Sequence, residues 1–228
     1  MKIRIKFSKL GAMKFVGHLD LLRYFQKAMR RAEVDICYSE GFSPHQVMSF
    51  AAPLGVGLTG TGEYMDIEVH STKDSKTMIR QLNAVMVDGI QILSYRKLED
   101  DSKNAMSLVM AADYTISFYE PKKPQDSDEF FREMKRFYDQ EQILIEKKTK
   151  KSEKEVNIKP LILDLHREHD SLFLKLATGS VENLKPELVL EAFYQFQHLE
   201  YPKCAFQIQR EEVYGDVMSL EEMGEDIE

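Results

Sequence analysis

The apolar residues of this chain change period from two to 3.6 and back, twice in the same order, and few folds accommodate that order. Near the start, Ile3, Ile5 and Phe7 alternate with Lys2, Arg4 and Lys6, as in a half-buried strand over residues 2–8. From about 18 to 33 the spacing is helical, with Leu21, Leu22, Phe25, Ala28, Met29 and Ala32 on one stripe. Residues 36–38 read as a short strand, and 39–62 as a long loop rich in Gly, Pro, Ser and Thr. Alternation returns where Met65, Ile67 and Val69 interleave with Tyr64, Asp66, Glu68 and His70. A helix over about 74–84, capped by Ser71 or Thr72, turns Met78, Ile79, Leu82 and Val85 inward. After Gly89, Ile90 and Ile92 open a further strand.

That order is β-α-β-β-α-β, provided the long loop holds or adjoins one short strand: the split βαβ, or ferredoxin-like, plan. The second half repeats it with one strand more. A strand over 106–119 leads to Asp126-Ser127-Asp128-Glu129, close to a capping box, and to a helix stripe of Phe130, Phe131, Met134, Phe137 and Tyr138. Strands follow at 143–148, 161–169 and 172–177, the last two joined across Asp170-Ser171. Pro186 starts a helix carrying Leu188, Val189, Ala192, Phe193 and Phe196, and 205–213 closes as a strand. The expected fold is therefore α+β, two tandem ferredoxin-like (split βαβ) units. They span 1–97 and 106–214, with a polar linker at 98–105 and an acidic, disordered tail at 215–228.

Composition narrows the class. With 43% apolar and 30% charged residues the chain is too apolar for disorder and too charged for a membrane protein. No run of 18 apolar residues exists, and the N-terminus lacks the continuous apolar stretch of a signal peptide, so a cytoplasmic protein with no membrane contact is expected. The two cysteines, Cys37 and Cys204, cannot form a disulfide framework or a four-thiolate metal site. The six histidines show one close pair, His166 and His169, which a strand would point to opposite faces, so no metal site is expected. The glycines from Gly55 to Gly62 lack the Lys-Ser/Thr of a phosphate-binding loop. No complete nucleophile motif appears, so the reading leans away from an enzyme.

Charge is uneven. The net charge is −7, yet residues 1–60 hold nine Lys/Arg against four Asp/Glu, and the chain from Glu211 on holds eight acids and no base. Arg23, Lys27, Arg30 and Arg31 follow helical spacing opposite Leu21, Phe25 and Met29. Four mutually repelling cations do not serve helix stability. A phosphate backbone would neutralise them; an acidic protein surface would serve as well, and a solvated helix face is the plain alternative. His18 and Asp20 enter that helix, where free backbone N–H groups favour an anion. In the long loop, Phe42 and Phe50 offer rings that either stack on bases or plug the sheet, and Ser43 and His45 flank the rigid Pro44. The basic run Lys147-Lys148-Thr149-Lys150-Lys151 adds further cations.

Four stretches carry a likeness to a known family: Phe15-Val16-Gly17-His18-Leu19-Asp20-Leu21-Leu22-Arg23, Tyr38-Ser39-Glu40-Gly41-Phe42-Ser43-Pro44-His45, Ser49-Phe50-Ala51-Ala52-Pro53-Leu54-Gly55-Val56-Gly57 and Gly62-Glu63-Tyr64-Met65-Asp66-Ile67-Glu68. Over about residues 1–100 the chain resembles the radical SAM-linked family, a domain of unknown function. One departure is Gln46-Val47, where the family pattern has Pro and Lys. The resemblance implies a radical SAM protein as partner, with the iron–sulfur cluster and S-adenosylmethionine held there; this chain lacks the three-Cys motif and is expected to carry no cofactor itself. The tandem halves also look like CRISPR repeat-processing endoribonucleases and some pseudouridine synthases, an analogy of fold alone. The expected function is an accessory substrate-binding or docking protein for a radical SAM enzyme, binding RNA related to tRNA or rRNA. Arg23, Lys27, Arg30, Arg31, Phe42, Ser43 and His45 form its RNA or polyanion site. One alternative is metal-independent RNA processing, with His18, Asp20 and His45 as the catalytic candidates. The other is a pure protein–protein docking module.

Overall fold

β1 (Lys2–Lys9) runs through the middle of the first unit, with β3 (Thr59–Glu68) and β4 (Ile90–Lys97) antiparallel on either side. The computed structural model describes residues 1–124, 126–148 and 153–228. Contacts divide the chain into two units, Met1–Met110 with Arg210–Glu228, and Ala111–Gln209. The architecture is α+β, with five α-helices among the described residues.

In the first unit a 3-10 turn (Gly11–Phe15) leads into α1 (His18–Arg31), and β2 (Met48–Phe50) pairs with β3 through Met48↔Ile67 and Phe50↔Met65. This is the short strand that the expected plan needed within the long loop. Strands 36–38 reduce to isolated bridges, Ile36↔Val69 and Tyr38↔Gln46. α2 (Ser75–Asn83) is capped by Asp74, whose carboxylate accepts from the Thr77 N–H at 2.9 Å. The cap is therefore neither Ser71 nor Thr72. Asp74 sits directly before the first helical residue, where its oxygen reaches an orphan donor. α1 and α2 lay their stripes on one face of the sheet, burying Phe25, Met29, Met78 and Leu82 against Ile3, Ile5, Phe7, Met65 and Ile67.

The other face of β1 departs from expectation. Arg4 is fully buried and Lys6 half-buried, although the alternation predicts a solvated row. The cause is the acidic C-terminal stretch, expected to be disordered. It folds back within the first unit, with Leu220 fully buried and β11 (Glu225–Asp226) paired to β4. The Ile227 N–H donates to Ser75 Oγ at 2.8 Å, and the Ser75 N–H donates to the Ile227 carbonyl at 3.0 Å. Carboxylates meet the cations of the face: Lys6 contacts Glu212 at 2.7 Å and Glu221 at 2.8 Å, and Arg96 contacts Glu221 at 3.6 Å. The expected linker at 98–105 is packed at its two ends, with Leu98 and Ala105 buried and α3 (Ala105–Leu108) anchored by the Ala105 N–H on Asp66 at 2.8 Å, while Glu99, Asp100, Asp101, Lys103 and Asn104 between them are exposed.

The second unit holds β5 (Ala111–Phe118), α4 (Ser127–Tyr138), β6 (Leu144–Lys148) paired with β7 (Glu153–Asn157), β8 (Ile162–Glu168), β9 (Ser171–Ala177), α5 (Pro186–Phe196) and the first part of β10 (Phe206–Tyr214). β9 lies between β5 and β8, antiparallel to both. The turn joining β8 to β9 is His169-Asp170, one residue earlier than expected, with His169 at a positive φ of 55°. α4 starts on Asp126, which caps it as read, its carboxylate accepting from the Glu129 N–H at 2.9 Å.

Candidate nucleic-acid interface

α1 owes its position to its own pattern: Leu21, Phe25, Ala28 and Met29 are buried, so the residues between them face out. Arg23, Lys27, Arg30 and Arg31 are all exposed. Their partners are few. Arg23 reaches Asp20 at 3.2 Å in a pair exposed on both sides, which contributes little in water. Arg30 donates to the Gln26 carbonyl at 3.3 Å and Arg31 to the Val85 carbonyl at 3.1 Å. Lys27 has no ion pair among the described residues. By contrast, Arg4 is held by Asp66 at 2.8 Å, Lys6 by Glu212 and Glu221, and Arg210 by Glu63. These three cations are neutralised internally, whereas the row on α1 holds one ion pair, the exposed Arg23–Asp20 contact.

The loop before β2 is a closed structure. Tyr38 and Gln46 bridge, the Ser39 N–H donates to the His45 carbonyl at 2.8 Å, and the His45 N–H donates to Ser39 Oγ at 3.1 Å. The same hydroxyl lies 2.8 Å from His45 Nδ1. Gly41, at φ 106°, makes the turn at the tip. Ser43 and His45 are exposed, and the Phe42 ring is fully exposed. Phe50 is instead buried in an edge-to-face cluster with Phe7 and Phe25. One ring of the loop therefore faces solvent and the other plugs the sheet. Gln46 fixes the loop to the helix: its side-chain amide donates to the Gln26 carbonyl at 3.2 Å, the carbonyl that Arg30 also uses. Gln46 and the half-exposed Tyr38 were missed as site residues. The signal for Gln46 was its place in an otherwise exposed loop, where a buried amide has to find a backbone partner.

Not all expected residues converge. His18 is the first residue of α1 and packs edge-on to Phe50 at 5.3 Å. His45 sits beside Gln46, which meets α1 at Gln26, eight residues and about 12 Å of helical rise further on. The Asp20 carboxylate is turned to Arg23. No hydrogen bond joins His18, Asp20 and His45 among the described residues. Near His18 the surface is apolar: Phe15, Leu19 and Val56 are exposed, and the Gly57 N–H donates to the Lys14 carbonyl at 2.8 Å, holding that loop on the 3-10 turn. The tip of the basic run, residues 149–151, lies outside the described residues.

Among the described residues no group of His, Cys, Asp and Glu could hold a metal ion, and no helix is long and apolar enough to cross a membrane. Cys37 and Cys204 are free thiols.

Fold and surface together define an α+β protein with an exposed cationic helix face beside a ring-bearing loop whose ends are hydrogen-bonded. The chain belongs to the DUF2344 family, described as uncharacterized protein conserved in bacteria, whose model matches residues 2–186. A search of curated proteins finds no match. Among solved structures, a chain in the crystal structure of a Cbf5-Nop10-Gar1 complex aligns with 94% of this chain at 9% identity and a TM-score of 0.46. This chain covers 50% of that one, half its length.

Proposed function

We propose that this protein is an accessory RNA-binding subunit that works with a radical SAM enzyme, on two tandem ferredoxin-like units. The observation that carries the RNA part is the contrast among cations. Arg4, Lys6 and Arg210 are spent on internal carboxylates, while Arg23, Lys27, Arg30 and Arg31 stand exposed on one helix face. Such a row suits a phosphate backbone, with an affinity that falls steeply with salt. The resemblance of its first hundred residues to the radical SAM-linked family supports the enzyme partner. The exposed Phe15, Leu19 and Val56 offer that partner an apolar contact at the other end of α1.

The test replaces Arg23, Lys27 and Arg30 together by Glu. All three side chains are exposed, so the fold should survive, which circular dichroism checks. Retention of RNA at low salt should be abolished; undiminished retention rejects the role. Co-purification with the radical SAM protein after nuclease digestion should persist in the same variant, separating the protein contact from the RNA contact.

A further inference from the structure

Phe42 is the one ring of its loop with no structural duty. It is fully exposed and touches no other ring among the described residues, whereas Phe50, eight residues later, is buried among Phe7, Phe25 and His18. The loop that carries it is not slack. The Tyr38↔Gln46 bridge, the Ser39 and His45 hydrogen bonds and the anchoring of Gln46 on α1 hold both of its ends. Ends held in this way restrict where the ring can be presented, which lowers the cost of ordering the loop on binding. Lys27 and Arg30 lie on the stretch of helix to which Gln46 is tied, one residue and four residues past Gln26.

We infer that this site takes unpaired RNA, with Phe42 stacking on a base while Lys27 and Arg30 hold the phosphates beside it. The inference rests on the RNA-binding reading above and names its ligand class. A cationic row alone binds any phosphate backbone and does not separate single strands from duplexes. A projecting ring does. In A-form duplex the base faces are stacked inside and the deep groove is too narrow for side chains, so the ring has nothing to stack on. In a single strand or an open loop every base offers a face. Tyr38, half-exposed at the base of the same loop, offers a second ring.

Binding of a single-stranded oligouridylate and of an RNA duplex with the same number of phosphates, each followed by fluorescence anisotropy at several salt concentrations, tests this. The expected result is tighter binding of the single strand. Phe42→Ala should weaken it about tenfold with the salt slope unchanged, and Phe42→Trp should restore it, as stacking on one base requires. Equal affinity for both RNAs, or no effect of Phe42→Ala, overturns the inference while leaving the polyanion role of α1 intact. Loss of the radical SAM partner, and not of RNA, in Phe42→Ala also overturns it and assigns the ring to a protein contact. Failure of the unaltered protein to bind either RNA removes both readings.

Discussion

A charged residue in a strand cannot be assigned to water or to the core from its own neighbours in sequence. Lys9, Glu63 and Arg210 make the point. All three are buried; Arg210 Nε donates to Glu63 at 2.8 Å, and its guanidinium also donates to the Ala52 carbonyl. Burial pushes the Lys9 ammonium below its usual pKa, and the Arg210 charge adds to this while Glu63 opposes it. Gly60 makes room for the arrangement, since a Cβ there would come within 2.3 Å of the Glu63 carboxylate. Glu63 is thus the anion that compensates two buried cations. Glu63→Gln keeps the shape and removes the charge. It should destabilise the protein by about 3–5 kcal/mol, the usual cost of leaving a buried charge unpaired. Adding Lys9→Met to that variant should return part of the loss, read from urea-denaturation midpoints; an unchanged midpoint in Glu63→Gln alone would show that the pair is not buried in solution. None of this was legible in the sequence, because Glu63 and Arg210 are 147 residues apart.

At the scale of elements, legibility followed period. The α1 stripe was readable because Leu21, Phe25, Ala28 and Met29 repeat at helical spacing, and the structure buries those residues. β2 was foreseen only as a need of the topology, since three residues are too few to show a period. The fates of Phe42 and Phe50 therefore stayed open; the pairing of Phe50 with Met65 decides them. Strand β3 carries a second constraint invisible to pattern. A Cβ on Gly62 would lie 2.3 Å from the Glu211 carbonyl oxygen and 2.7 Å from the Glu212 Cα, both backbone atoms of β10. Neither can move without parting the two strands. Gly62→Ala should therefore destabilise by more than the few tenths expected at an open strand position, on the order of 1–3 kcal/mol. Hydrogen exchange should quicken along 206–214 more than along α2; uniform exchange in both would count against a local clash.

For the molecule as a whole, the basic beginning and the acidic end prove to be partly each other's counterions. Sequence arithmetic treats them as free charges for partners, but Lys6 and Arg96 meet Glu221, and the Arg4 guanidinium donates to the Leu220 carbonyl at 3.2 Å. This is why the tail is ordered despite its composition. The pairing also sets a pH window. Burial by itself would raise the Glu221 carboxyl, but the hydrogen bond and charge of Lys6, helped by Arg96, outweigh it and hold the group below the usual carboxylate range. Burial would lower the Lys6 ammonium, but its hydrogen bonds to Glu212 and Glu221 outweigh it and raise the group above its ordinary value. A depressed carboxylate stabilises the fold above its unfolded pKa and stops doing so as pH falls through the folded one. A raised ammonium stabilises below its unfolded pKa and stops doing so as pH rises through the folded one. The C-terminal segment should therefore stay fastened from weakly acidic to alkaline pH and loosen at both extremes, first on the acid side in ordinary buffers. Limited proteolysis near the exposed Val217 and Met218 reads this directly. Cleavage should accelerate below the usual carboxylate range, and Glu221→Gln should show the faster rate already at neutral pH. A cleavage rate in Glu221→Gln equal to that of the parent at neutral pH would mean that the buried Leu220, and not the ion pairs, holds the segment down.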